Sequence, residues 1–194
     1  MSSRINTLRY EKSESVLFNS YIASTKVLSN HHICELRYDG KIFKSSEHLF
    51  FWLRLYGNPE HQNKILEIES PKDVKRTGTQ LIKRLMIVDD IVRDVQLLRF
   101  AIRIKYNYCT EFREYLNTTY NKNIVEYAWW GDDFYGCVDE DINLKYNLKE
   151  GCVVGKNVCG RLLCEIRDES KDENGMCILT RPACLDAMNS QTLF

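Results

Sequence analysis

Apolar residues recur along the chain in short clusters whose spacing predicts a mostly helical fold with a small β component. The most regular stretch spans residues 89–106, where Ile91, Val95, Leu98 and Ile102 recur at intervals of four, three and four. That spacing puts one apolar face on a core-facing helix, while Asp89, Arg93, Gln96 and Arg103 fall elsewhere. Asp89 and Arg93 also form an acid-first pair four residues apart, worth about 0.3 kcal/mol on an outer face. Residues 49–53 are the longest unbroken apolar run. They belong to a helix predicted to start at Ser45 or Ser46, pass through Glu47 and His48, and stop at Gly57.

Ahead of that helix, alternation across residues 33–43 with Asp39-Gly40 in the middle predicts a β-hairpin. Asn58-Pro59 and Ser70-Pro71 each place a capping side chain before a proline suited to the first helical position. A short helix follows Thr110, residues 124–128 read as a strand, and a last helix starting near Asn157 carries Leu162, Leu163 and Ile166. After Arg167 the charged run 168–175 reads as a solvated loop. Residues 176–194 form a tail, with Ile178, Leu179 and Leu185 expected to pack back.

Composition narrows the class. At 194 residues, 44% apolar and 11% aromatic, the chain can bury one sizeable core, and such content excludes disorder. The 27 basic and 27 acidic residues cancel, which argues against an extended nonspecific grip on nucleic acid. One local excess stands out: Lys72, Lys75, Arg76, Lys83 and Arg84 against Asp73 leave four net positive charges, either a solvated helix face or a DNA contact. No apolar run approaches the roughly 20 residues of a membrane span, and residues 1–20 lack a secretory core. We expect a soluble, cytoplasmic protein with its eight cysteines reduced and packed. His31, His32 and Cys34 come nearest to a metal set, but no C-x-x-C supports one. Neither a metal nor a cofactor is expected.

Three clusters carry candidate chemistry. Ser46-Glu47-His48, with Trp52 and Arg54 on the next turns, places an acid at a helix start, where it also simply complements the helix dipole. Residues 126–136 hold five aromatics and three acids in eleven positions, among them Glu126, Trp130, Asp132 and Tyr135. That density suits either core packing or a pocket that stacks a flat ring. Residues 151–161 form a glycine-rich entry to a helix, in which Gly155, Lys156 and Asn157 suit a phosphate, or in which Asn157 is only an N-cap. Together the parts fit a nucleotide-like ligand.

The order of motifs resembles the NADAR family, also called YbiA-like. The resemblance rests on Leu28-Ser29-Asn30, Asp39-Gly40, Ser46-Glu47-His48, Ser70-Pro71, Lys105-Tyr106, Ile124-Val125-Glu126 and the Asp132-Asp133-Phe134-Tyr135-Gly136 segment. Gly155-Lys156-Asn157 followed by Gly160, Leu162-Leu163 and Ile166-Arg167 completes it. It covers residues 16–167, leaving 1–15 and 168–194 as extensions. It implies a single, predominantly helical α+β domain that hydrolyses an N-glycosidic bond. Some members are similar to N-glycosidases acting on phosphorylated ribosylamino-pyrimidines, others to glycohydrolases that remove ADP-ribose from guanine in nucleic acid.

On that resemblance Glu47 and Asp132 are the expected catalytic carboxylates, one near the anomeric carbon and one protonating the departing base. Trp52, Trp130 and Tyr135 would stack on the base, Lys156, Asn157 and the loop amides would hold phosphate, and Asn30, His48, Arg54, Glu126 and Gly155 complete the expected binding set. The expected partner is an ADP-ribosylated or phosphoribosylated small molecule or nucleic-acid base. Two departures stand out. Arg54 replaces a family lysine thought to attack the opened ribose as an amine, a role closed to a permanently protonated guanidinium. Tyr135 replaces a tryptophan, with one extra residue between Glu126 and Asp132, and Phe51 replaces a usual glutamine. Two functions follow: a glycosidase using its carboxylates directly or recruiting an amine such as Lys156, or a binding module that has lost turnover.

Overall fold

The computed structural model describes residues 5–190. In chain order the elements are β1 (Leu8–Glu11), β2 (Ser15–Phe18), β3 (Leu36–Tyr38), β4 (Lys41–Phe43), α1 (Ser46–Arg54), α2 (Pro59–Glu67), α3 (Pro71–Arg84), α4 (Ile91–Tyr108) and α5 (Thr110–Thr118). Then come β5 (Asn123–Glu126), β6 (Val138–Asp139), β7 (Cys152–Gly155), α6 (Val158–Asp168) and α7 (Cys184–Ser190). The architecture is α+β and mostly helical, as expected. Two compact units share it, one from residues 5–29 and 114–169, the other from 30–113 and 170–190.

In the first unit β7 is the middle strand of an antiparallel sheet, with β1 and β6 on either side. Residues 8–15, assigned from sequence to an N-terminal extension, are thus built into this unit, and Tyr10 turns into its core beside Leu17, Val125, Tyr127, Cys137 and Val153. A second pair, β2 and β5, runs parallel with Val16 opposite Ile124 and Phe18 opposite Glu126. Lys12 is buried here. Its ammonium meets Asp139 at 2.5 Å and the carbonyls of Leu144 and Asn147 at 3.0 and 2.7 Å, so the charge is paired and hydrogen-bonded. The Tyr127 hydroxyl donates to the other Asp139 oxygen at 2.6 Å.

In the second unit β3 and β4 form the expected hairpin, with Asp39 and Gly40 both at positive φ (51° and 68°) as a two-residue primed turn requires. Helix α1 is its centre: every residue from Ser46 to Leu53 is buried, the polar Ser46, Glu47 and His48 in its first turn and apolar residues after them. It ends at Arg54 rather than Gly57. Gly78 of α3 lies against α1 so closely that a Cβ there would overlap the Phe51 ring.

Prolines 59 and 71 open α2 and α3 as expected, but neither Asn58 nor Ser70 makes a side-chain cap hydrogen bond. Helix α4 starts later than its pattern suggested, capped by the Asp90 carboxylate on the Arg93 N–H. Ile91, expected in the core, is 56% exposed, whereas Asp94 and Lys105 are buried. Asp89 precedes the helix and meets Arg54 instead of Arg93. Of the tail residues, Leu185 is buried as expected, but Ile178 and Leu179 are exposed, and Cys177 packs in their place. The Asn107 amide fixes it, donating to the Cys177 carbonyl and accepting its N–H. Residues 191–194 of the tail lie outside the described residues.

Helix α6 rests on β5 through Gly160, where an added Cβ would overlap the Ile124 carbonyl and the Asn157 amide. Because backbone cannot yield as a flexible side chain does, Gly160→Ala is expected to cost about 2–4 kcal/mol. Urea denaturation midpoints of the two proteins check this.

Candidate functional site

The candidate residues divide between the two units. In the second, the Ser45 hydroxyl caps α1 by accepting the His48 N–H at 3.3 Å and lies 2.8 Å from His48 Nδ1. His48 Nε2 is 2.9 Å from the Ile68 carbonyl, which can only accept, so the proton sits on Nε2 and Nδ1 accepts from Ser45. Both nitrogens of this buried ring are spent within the protein. His48, expected to touch substrate, instead fastens the start of α1 to the segment before α3. Burial holds it below the usual histidine range, the Ile68 bond opposing only in part.

Asn30 serves the same helix start. Its side-chain and main-chain oxygens accept from the Ser46 hydroxyl at 3.1 and 3.3 Å, and its carbonyl takes the Glu47 N–H at 3.1 Å. The Glu47 carboxylate is thereby fixed in the first turn, 6% exposed. Its ionic neighbour is His31, Nε2 to Oε1 3.7 Å, beyond direct hydrogen-bond distance.

Trp52 differs from expectation. At 2% exposure it is packed edge-on by Tyr38, Phe43 and Tyr56, with centroids at 6.3, 5.5 and 5.9 Å, which leaves no open ring face for a base. Arg54 is equally committed. Its Nη2 meets Asp94 Oδ2 at 2.7 Å and Asp89 at 3.3 Å, and its guanidinium lies over the Phe50 and Phe51 rings. Arg93 reaches the other Asp94 oxygen at 3.1 Å, so two arginines share one buried carboxylate. Asp94 was missed in the sequence because an acid on the first turn of a helix reads as solvated. The available signal was its spacing, three, four and seven residues before Leu97, Leu98 and Ala101, which puts it on their face of the helix.

In the first unit the glycine-rich entry to α6 holds no phosphate cradle. The N–H groups of Lys156, Asn157, Val158 and Cys159 donate to the carbonyls of Asp133, Gly136, Phe134 and Tyr135 at 2.7–3.1 Å. Asn157 is neither a ligand nor a side-chain cap. It sits in the left-handed region (φ 49°, ψ 44°), is buried, and bridges to β5, accepting the Glu126 N–H at 3.1 Å and donating to the Ile124 carbonyl at 2.9 Å. Gly155 is a close-approach residue, since a Cβ there would overlap the Gly136 carbonyl.

What these bonds hold in place is the acidic, aromatic loop after β5. Asp132 Oδ1 accepts the N–H groups of Phe134 and Tyr135 at 3.1 and 2.9 Å, a turn that fixes the carboxylate. Asp133 is exposed, and Glu126 is half-buried at the end of β5. Burial pushes the Cys137 thiol up to about 12, and the neighbouring Glu126 and Asp133 carboxylates push the same way, a local sign of negative potential. Tyr135 is half-buried against Phe134, over whose ring the Lys156 ammonium lies at 5.0 Å. Trp130 is 49% exposed and packs on Trp129, itself flanked by Tyr21 and Tyr146. Unlike Trp52, Trp130 has ring surface to offer.

Lys72, Lys75, Arg76, Lys83 and Arg84 lie on the exposed face of α3, opposite the buried Val74, Gly78, Leu81 and Ile82, and Arg76 pairs with Asp73 at 2.9 Å. Among the described residues no group of His, Cys, Asp and Glu is arranged to hold a metal ion, and no helix is long and apolar enough to cross a membrane.

Residues 8–170 match the NADAR domain. Among solved structures the chain is similar to the NMR structure of the E. coli protein YbiA, with 22% identity, a TM-score of 0.58, and coverage of 83% of this chain and 92% of that one. At that identity the likeness shows the fold. No curated protein matches.

Two outcomes follow from these bonds. Asp94→Asn leaves two guanidiniums without their shared buried anion and is expected to cost about 3 kcal/mol in chemical denaturation. His48 is bound neutral, so its contribution is complete above the unfolded value near 6.5 and is lost as pH falls through it. Stability should therefore decline from about pH 6.5 downward by up to about 1.4 kcal/mol per unit, and His48→Gln should flatten that limb.

Proposed function

The chain belongs to the NADAR domain family, and on that premise we propose that it hydrolyses the N-glycosidic bond between a base and an ADP-ribosyl or phosphoribosyl group. The observation that carries this reading is the Glu47 carboxylate, buried in a first helical turn with a histidine rather than a lysine or arginine as its ionic neighbour. An acid neutralised by a permanent cation cannot exchange a proton usefully, whereas a Glu–His pair can.

The chemistry divides into two demands. As the C–N bond breaks, its electron pair leaves with the base, whose nitrogen must gain a proton, and we assign that transfer to Glu47 with His31 as its partner. The sugar becomes cationic at the anomeric carbon, and a fixed carboxylate lowers the energy of that state. Asp132, oriented by two backbone N–H donors, is assigned that role. Water then adds to the anomeric carbon, and the proton it loses restores the Glu47 carboxyl. Trp130 and Tyr135 supply ring surface for the base. Each assignment stands on its own unit and is tested separately.

The Arg54–Asp94 pair supports hydrolysis without a Schiff base, because the guanidinium is both protonated and anchored. The same pair favours one competing reading, a module that binds ADP-ribose without turnover.

Purified protein would be incubated with ADP-ribosylated guanine in DNA, NAD, and ribosylamino-pyrimidine phosphates, with base release measured, and with free ADP-ribose, with binding measured. Release from at least one substrate is expected, and Glu47→Gln and Asp132→Asn should each slow it by about 100-fold or more with the fold intact. Arg54→Lys should leave release unchanged, since a lysine beside Asp94 stays protonated, and a large gain would overturn the direct route. Tight ADP-ribose binding with no release from any substrate would establish the binding module instead.

A further inference from the structure

The loop between α3 and α4 carries apolar side chains that the fold leaves in water. Met86 and Val88 are 85% and 76% exposed, more than any other large apolar residue among the described ones, and Ile91 and Val92 on the first turn of α4 are 56% and 61% exposed. Apolar residues scattered singly over a surface need no explanation, but a run of them this close in the chain does.

Local structure does not supply one. Helix α3 ends in a Schellman motif, with the Ile87 N–H reaching back to the Ile82 carbonyl and the Met86 N–H to the Lys83 carbonyl, both at 3.1 Å. That motif puts Met86 in the left-handed region (φ 51°), which glycine or asparagine suits and a long side chain does not. Leu85 and Ile87 are half-buried, so the inward side of the loop is served without Met86 or Val88. The far end is fixed as well: Arg93 Nη2 donates to the Val88 carbonyl at 2.9 Å, and the Asp90 carboxylate accepts the Arg93 N–H at 3.0 Å. A held backbone thus presents these side chains outward, at a conformational cost that the fold does not recover.

Charge identifies what covers them. Lys83 and Arg84, both exposed, come just before the apolar side chains, while Asp89 and Asp90, also exposed, come among them. Asp89 touches Arg54 at 3.3 Å yet keeps 87% of its side chain exposed, open to a second cation. An anionic lipid surface would have to receive those two carboxylates together with the apolar groups, which its own charge opposes. A two-fold axis meets no such conflict. Where residue i of one copy meets residue j of the other, j also meets i, so a patch basic at one end and acidic at the other complements itself when turned around. We propose that this loop is the contact of a homodimer, in which Met86, Val88, Ile91 and Val92 of two copies pack together while Lys83 and Arg84 of each face Asp89 of the other. The patch is small, at the low end for specific interfaces, so the dimer forms at about micromolar concentration.

Sedimentation equilibrium of the full chain from nanomolar to high micromolar concentration tests this, and a reversible monomer–dimer equilibrium is expected. Met86→Asn/Val88→Thr suits the left-handed position and keeps the β-branched shape, and it should weaken dimerisation by about tenfold or more. Its urea midpoint, taken at nanomolar protein where both chains are monomers, should be unchanged or higher, and a lower midpoint would return these side chains to the fold and overturn the proposal. Charge exchange gives the sharper result. Lys83→Glu/Arg84→Glu and Asp89→Lys should each stay monomeric alone and dimerise when mixed, because the mixture restores opposite charges on both sides of the axis. A chain that is monomeric throughout, a dimer indifferent to these substitutions, or a mixture that stays monomeric overturns the proposal. A monomer that pellets with phosphatidylserine vesicles, and ceases to do so in Met86→Asn/Val88→Thr, overturns it too and gives the loop to a membrane.

Discussion

A polar group taken out of water has to find its partner inside the protein, and the start of α6 is where that demand shapes the first unit most. Four consecutive N–H groups there point at one loop, and the carbonyls of residues 133–136 accept all four. The Asn157 side chain then closes the remaining gap by bridging to β5 on both its oxygen and its nitrogen. An unsatisfied buried group costs about 1–3 kcal/mol, so a loop that meets five or six of them at once has little freedom to be anywhere else. Its closeness requires glycine at 136, 155 and 160, where a side chain would stand in the backbone's path. The residues that resembled a ligand cradle are what hold the loop rigid, and the rigid loop in turn presents Asp132, Tyr135 and Trp130.

The same demand governs the second unit through charge. Asp94 is buried, and it is tolerable there only because Arg54 and Arg93 meet its two oxygens from different elements. Arg54 therefore ties the end of α1 to the beginning of α4. A lysine in its place would bring a single ammonium to one point, whereas the guanidinium reaches Asp94 and Asp89 together and stacks over two phenylalanines. The departure from the family pattern is thus a structural substitution as much as a chemical one.

Local signals in the sequence were reliable where structure is decided locally. The Asp39-Gly40 turn, the prolines opening α2 and α3, and the apolar faces of α4 and α6 each depend on residues within a few positions of one another. What pattern could not reveal is partnership at a distance. The strand at Leu8–Glu11 has one inward side chain and exists because β7 offers it an edge some 140 residues later. Asn157 bonds 33 residues back to Ile124, and Asn107 bonds 70 residues forward to Cys177. The candidate site follows the same division: Glu47 and Asp132 stood out by their local setting, while Trp52, His48 and Asn157 looked like ligands until their distant partners accounted for them.

Buried cations sort the chemistry left to this chain. Lys12 is bound by a carboxylate and two carbonyls, and Arg54 by Asp94, so both are committed to partners inside the protein. Burial lowers the Lys105 ammonium to about 8, and the side chain lies wholly buried over the Phe112 ring. Lys156 stays half-exposed over an aromatic ring, where a cation is stabilised as a cation. Lys105, the amine that burial lowers, is therefore closed to a sugar. The hydrolytic route proposed for this chain accordingly calls on carboxylates and water and asks for no amine.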